Sequence, residues 1–264
     1  MGTWEEAVLW LRTQPDQQEL VRAAYFDDPV SAAASRYHLG TEWSTIRGYL
    51  PRAGGRALDL GAGRGIASYA LAKDGWQVTA VEPDRSPVVG AGAIELLQTQ
   101  ADIAVDIISE SGEAIPVAGD SFDLVFCRQA LHHARNLSQM CREVWRVLKP
   151  GGLFVAVREH VVSRHADLGA FFKLHPLHYR YGGEYAYLLS EYCEAIESSG
   201  LTLEKVLNPL ASDINLYPRT LAEIRQSAAR RLHLPVRAIP NVALAWLGNW
   251  IQTPGRLYSF VARK

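Results

Sequence analysis

Cysteine is scarce in this chain. Cys127, Cys141 and Cys193 are the three in 264 residues. Their number is odd and no two lie close together, which excludes a disulfide framework and a cysteine-built zinc site and fits a reducing compartment. Charge of one sign is also missing. Lys and Arg total 27 against 28 Asp and Glu, a net charge of −1. No global field therefore draws the chain to nucleic acid or to an anionic membrane, and a small-molecule partner is expected. Long apolar runs are absent, so no membrane insertion is expected. The first residues, MGTWEEAVLWLRT, carry Glu5 and Glu6 where an export signal needs bases. The expected location is the cytoplasm.

What is present is alternation. Residues 3–12 and 17–25 have helical spacing, and Thr41 or Ser44 can N-cap a further helix carrying Trp43 and Ile46. From Arg56 short apolar runs alternate with helical periods. Strands are expected at 57–60, 77–81, 103–108, 122–127 and 153–158, with helices at 66–73, 86–99 and 137–148. Such alternation predicts an α/β fold, a mostly parallel sheet with helices on both faces. Four segments are expected: N-terminal helices over 1–50, a core over 51–209 with a His- and Tyr-rich insert at 163–189, a helical cap over 210–254, and a last core strand over 255–264. Within the cap, Leu244, Leu247 and Ile251 share a helical face with Trp246 and Trp250 beside it, which predicts packing on the core.

The first strand runs into Gly61-Ala62-Gly63-Arg64-Gly65. Glycines there allow a sharp turn and a close approach of a ligand to a helix N-terminus. A dinucleotide loop, G-x-G-x-x-G, would need its third glycine where Ile66 stands, so a dehydrogenase is disfavoured. The second strand ends in Glu82, an acid placed to accept from both ribose hydroxyls of a nucleoside.

Four stretches in order, ALDLGAGRG (57–65), VTAVEPD (78–84), GEAIPVAGDSFDLVFCRQALHHA (112–134) and EVWRVLKPGGLFVAV (143–157), resemble successive motifs of class I S-adenosylmethionine (SAM)-dependent methyltransferases that act on small molecules. The resemblance implies a Rossmann-like seven-stranded sheet whose last strand, 257–262, is antiparallel. It implies SAM as cofactor and S-adenosylhomocysteine (SAH) as product. By position, Asp59, Gly61, Ala62, Gly63 and Gly65 would surround the amino-acid part of SAM. Glu82, followed by Pro83, would hold the ribose. Ser111, Gly112, Glu113 and Ala114 would lie at the adenine, with Ser111 standing where the family often has an acid. Arg128 and Gln129 would border the methionine portion.

Transfer of an already activated methyl group is chiefly a matter of alignment, and a hydroxyl acceptor also needs a base. His133 and His160 follow the fourth and fifth strands, where α/β sheets bind ligands, and are the base candidates; His132 ranks below them. His175, His178, Tyr181 and Glu184 are the expected acceptor wall. A metal built from His160, His175, His178 and Glu184 is not expected, because a lone His-x-x-His is a weak signal. O-methylation of a natural product, glycan or lipid-like acceptor is the leading expectation. C- or N-methylation, or a SAM-binding module without turnover, are the alternatives. An RNA methyltransferase would need a basic face. A homodimer formed through the cap is compatible with these features.

Overall fold

The computed structural model describes residues 2–52 and 54–264. Four helices come first: α1 (Trp4–Arg12), α2 (Gln18–Ala23), α3 (Val30–Leu39) and α4 (Thr41–Arg47). The alternating core follows with β1 (Arg56–Leu60), α5 (Ile66–Lys73), β2 (Gln77–Val81), α6 (Ala91–Ala101), β3 (Val105–Ile108), β4 (Phe122–Arg128), α7 (Leu137–Val147) and β5 (Leu148–Val162). The insert holds α8 (Leu168–Leu174), α9 (His178–Tyr181) and the two-residue β6 (Tyr187–Leu188). Then come α10 (Leu189–Ser198), β7 (Thr202–Leu207), α11 (Leu221–Leu232), α12 (Asn241–Gly248) and β8 (Arg256–Arg263).

The main path of the sheet runs β3-β2-β1-β4-β5-β8-β7, with β6 added beside the end of β5. Strands β1 to β5 are mutually parallel. Strand β8 is antiparallel to both β5 and β7. The expected seven-stranded, mostly parallel sheet with a reversed last strand is therefore observed, with β6 as an unforeseen addition.

Both faces of the sheet are buried, as parallel strands require. Side chains alternate between faces along each strand. Val125, Cys127 and Phe154 pack with α7 and α10 residues such as Val144 and Tyr192. Leu124, Phe126 and Val155 pack with Tyr37, Trp43, Leu71 and Ile94 on the opposite face. Helix α7 starts where Asn136 accepts from the Gln139 N–H at 3.0 Å, satisfying an orphan donor of the first turn.

Several boundaries differ from expectation for physical reasons. Helix α3 was not anticipated: its sequence, VSAAASRYHL, has small apolar residues that give a weak stripe. Helix α4 begins at Thr41, but Gly40 is its N-cap and no side chain caps it, so neither Thr41 nor Ser44 does. Helix α6 starts at 91, not 86, because Ser86 Oγ accepts the N–H groups of Val88 and Val89 in a turn first. The apolar face predicted for α12 is only half used. Leu244 is buried, while Trp246 and Trp250 are 60% and 67% exposed.

The N-terminal helices are tied to the core by buried charge. Glu42, fully buried on α4, receives Arg128 Nε at 2.7 Å and Nη2 at 3.1 Å from the end of β4. Buried Arg64, in the glycine loop, donates to the carbonyls of Tyr25 at 2.8 Å and Asp27 at 3.0 Å, and pairs with Asp28. Helix α1 then lies on α9. Trp4 meets Tyr181 with ring centroids 4.6 Å apart, and Arg180 sits over the Trp10 ring at 3.3 Å. Val89, from the loop after β2, joins the same apolar cluster with Leu11 and Leu177. Helices α1 and α9 thus cover the β2 end of the sheet's carboxyl edge. Helices α11 and α12 form their own small cluster with Ile239, anchored beyond β7 by Asn208, which donates to the Ala245 carbonyl at 2.6 Å.

Candidate functional site at the carboxyl edge of the sheet

The parallel register lines up Leu60 with Val81 and with Cys127, and Arg128 with Val157. The residues that follow β1, β2, β4 and β5 therefore gather along one edge. In open α/β sheets this edge, near the point where strand order reverses, is where ligands sit.

The loop after β1 bends through left-handed conformations at Gly61 (φ 68°), Gly63 (φ 54°) and Gly65 (φ 77°). A Cβ on Gly61 would stand 2.6 Å from the Ala130 Cβ, so the loops after β1 and β4 can touch only if this residue has no side chain. The N–H groups of Gly61 and Ala62 both donate to the Val81 carbonyl, at 2.9 and 3.2 Å, and that of Gly63 donates to Glu82 Oε2 at 2.7 Å. The loop is thus laced to β2, and its glycines would let a ligand approach the backbone closely. Asp59 is buried beneath it and accepts from Ser68 Oγ at 2.6 Å, bracing the start of α5. Burial pushes the Asp59 carboxyl up to about 6.

Glu82 is held from both sides. Its Oε1 accepts the Asp84 N–H at 2.9 Å and its Oε2 the Gly63 N–H at 2.7 Å. Each oxygen keeps a lone pair, the arrangement a ribose diol needs. Burial pushes Glu82 up to about 7, against the lowering by its two backbone donors. Pro83 is exposed beside it.

On the other side of β1, the Ser111 hydroxyl accepts the Glu113 N–H at 3.2 Å, and Glu113 Oε1 accepts the N–H groups of Arg135 and Asn136 at 2.6 and 3.1 Å. Gly112 packs so closely that a Cβ would meet Leu60 Cδ1 at 2.7 Å, while Ala114 is exposed. Gln129 takes a left-handed φ of 53° at the end of β4. Its side chain accepts from Arg128 Nη1 at 2.9 Å. Arg128 also donates from Nε and Nη2 to Glu42, so it acts as the anchor of α4 at this edge.

The histidines converge. His132 and His133 have ring centroids 4.2 Å apart, His132 and His160 4.8 Å, and His160 and His175 5.8 Å. Between β5 and β8 the register shifts between Ala156 and Glu159, and Arg158 has φ 63°. This irregularity re-aims the strand's side chains. Fully buried Glu159 accepts from His132 Nδ1 at 2.7 Å and from the N–H groups of Ala130 and His132 at 3.0 and 3.1 Å. It thereby fixes the loop after β4. Burial opposes a charge on His132, but the carboxylates of Glu159 and Glu184 outweigh it and push His132 up to about 9. Burial, with the neighbouring His132 charge, pushes His160 down to about 3. His133 is open to solvent on one edge but crowded on the other, and desolvation followed by the His132 charge lowers it as well.

Of the expected acceptor wall, Glu184 and His175 belong to this cluster, with His175 Nε2 3.6 Å from Glu184 Oε1. Tyr181 donates its hydroxyl to Glu184 while its ring packs on Trp4. His178 stacks on Phe172 at 3.9 Å, and its Nδ1 has no hydrogen-bond partner among the described residues. Two residues at the centre of the edge were missed in the sequence. Glu159 stands between Arg158 and His160 and was readable as an acid at a strand's carboxyl end. Nothing in the pattern of α4 marks Glu42.

The chain's similarity to known proteins matches this geometry. A methyltransferase-domain family profile matches residues 58–156. A ubiquinone biosynthesis O-methyltransferase of Methylobacterium nodulans is 31% identical over 198 residues, 72% of this chain and 75% of that protein. The chain belongs to the class I SAM-dependent methyltransferase family. The cofactor of that family is SAM. A protein of the same description from Methylobacterium sp. (strain 4-46) is 32% identical over 136 residues, 52% of this chain, and the match spans only half of that relative's length. Among solved structures, a SAM-dependent methyltransferase from Mesorhizobium loti shares the fold with TM-score 0.57 and 18% identity, over 86% of this chain and all of that one. The glycine cradle at 61 and 112 and the doubly anchored Glu82 fit SAM. No helix among the described residues is long and apolar enough to cross a membrane.

Proposed function

We propose that this chain is a cytoplasmic O-methyltransferase that methylates a hydroxyl of a small natural-product, glycan or lipid-like acceptor. SAM supplies a sulfonium-activated methyl group. Glu82 would hold its ribose between the Gly61–Gly65 loop and residues 111–114, with Gln129 beside the methionine end. Asp59 and Arg128 support these contacts from behind, through α5 and α4.

The observation that carries the reading is the set of imidazoles at the ends of β4 and β5, with His133 best placed as the base. Its Nδ1–H donates to the Gly183 carbonyl at 3.0 Å, which fixes the tautomer and leaves Nε2 as a free acceptor. The residue is exposed, and an acceptor hydroxyl would approach it from its open edge. His160 donates Nδ1–H to the Gly255 carbonyl at 3.0 Å and turns its Nε2 toward the cluster. The relatives' description as O-methyltransferases of ubiquinone biosynthesis agrees with oxygen as the target atom.

The test is methyl transfer from labelled SAM across a panel of phenols, sugars and hydroxylated lipids, with wild type, H133Q and H160Q. H133Q should lower kcat by roughly 10²- to 10⁴-fold, the usual contribution of a positioned base, with SAM affinity unchanged. Unchanged kcat in H133Q would remove the base. Transfer to carbon or nitrogen acceptors alone would remove the oxygen assignment, and SAM binding without transfer to any acceptor would favour a binding module.

A further inference from the structure

We propose that His132, His160 and Glu184 form a binding site for one divalent first-row transition-metal ion, zinc foremost. Their ligand atoms lie within 4.8 Å of one another. His132 Nε2 and Glu184 Oε2 are 3.5 Å apart. Zinc bonds of ~2.0–2.1 Å in tetrahedral geometry put neighbouring ligand atoms about 3.4 Å apart, so this edge of the site is already at metal-binding length. Small side-chain rotations bring in the third ligand, His160, which is the most solvent-accessible of the three. Two imidazoles and a carboxylate leave a fourth position open, the donor count of a zinc site that also takes water or substrate.

Each ligand is oriented from behind. His132 donates Nδ1–H to Glu159 Oε2 at 2.7 Å and His160 donates Nδ1–H to the Gly255 carbonyl at 3.0 Å. Nε2 is then the ligand atom in both rings, the carboxylate- or carbonyl-backed arrangement of metal-binding histidines, and the ion takes the place of the Nε2 proton that charged His132 turns toward Glu184. Glu184 is 6% exposed. Its Oε1 accepts from the Tyr181 hydroxyl, whereas its Oε2 faces His132 and has no hydrogen-bond partner among the described residues. A buried carboxylate oxygen without a donor is costly, and a cation between it and the two imidazoles satisfies it. Gly255 also matters: a Cβ there would lie 3.7 Å from His160 Nδ1 and 2.5 Å from Phe171 Cδ2, so a larger residue would displace the carbonyl that aims His160.

Sequence order hides this set. The three ligands come from the turn after β4, the end of β5 and the insert before β6, and they meet only when the sheet forms. His178, half of the visible His-x-x-His pair, is stacked away on Phe172.

The ion can be read without turnover, so the outcome is independent of the acceptor. Full-length protein, stripped with chelator, is titrated with Co²⁺ and followed by visible absorption, then by displacement with Zn²⁺ and by elemental analysis. One equivalent per chain with a low-symmetry cobalt spectrum is expected. H160Q and E184Q should each weaken Zn²⁺ binding at least tenfold, and E159Q, which loses the group behind His132, by about 10- to 100-fold. H165Q, on an exposed histidine, should bind as wild type does. Circular dichroism of each variant secures the fold, and two ligand variants guard against one failing to fold. The absence of stoichiometric uptake by the wild type would overturn the site. So would undiminished binding in folded H160Q and E184Q, or an equal loss in H165Q.

Discussion

Glu82 should make SAM binding depend on pH near neutrality. Its carboxyl is raised from 4.5 to about 7, chiefly by burial, while the ribose needs the charged form as acceptor. With a free-protein value near 7, the apparent Kd scales as 1 + 10^(7 − pH). Affinity at pH 6 should then be roughly tenfold weaker than at pH 8, about 1.4 kcal/mol. At pH 7 binding should release about half a proton, readable by calorimetry in buffers of different ionisation enthalpy. In the free protein the sign is opposite. Neutral Glu82 is the form that burial favours, so its contribution to stability is present below about pH 4.5 and lost as pH rises through about 7. The assay is titration with SAM and SAH from pH 5.5 to 8.5, comparing wild type with E82Q, because the ratio cancels any titration of the ligand. E82Q should bind about 10- to 100-fold more weakly at pH 8, having lost a charge-assisted acceptor. Its profile should also be flatter. Asp59, raised to about 6, is checked with D59N, which should keep the midpoint near 7. Parallel profiles for wild type and E82Q would refute the assignment of Glu82 to the ribose.

Other residues make sharp predictions of their own. E42Q removes the charge paired with buried Arg128 and should cost about 3–5 kcal/mol, a fall in Tm of roughly 10 °C by scanning calorimetry. G61A places a Cβ against Ala130 at a left-handed φ, so equilibrium binding should show SAM affinity lost before the far-ultraviolet dichroism changes. W4A empties the contact between α1 and α9. In stopped-flow experiments SAM should dissociate several-fold faster with the core's unfolding midpoint little changed.

Much of the core was legible in the chain, for a physical reason. Each βα unit of a parallel sheet is written locally, as an apolar run, a glycine turn and a helical period, so β1, α5, β2, β4 and α7 are placed nearly to the residue. The Gly61–Gly65 loop and Glu82 were readable because their constraints arise within a few residues of themselves. Helix α3 escaped because small residues such as Ala33 and Ala34 bury fully without making a strong stripe. The face of α12 was misread because periodicity reports an apolar stripe and cannot say whether anything covers it.

The sequence by itself determined the layered α/β sheet, the glycine turn after β1 and the acid at the end of β2, since backbone geometry and side-chain alternation act over short distances. Only the tertiary structure decided which acids and histidines meet. Glu42 reaches Arg128 across 86 positions, and the irregularity in β5 sends Glu159 to His132 across 27. Glu184 arrives from an insert with no periodic signal at all. Such pairings depend on strand register and on side-chain direction at the sheet's edge, and these exist only once the distant strands have found each other.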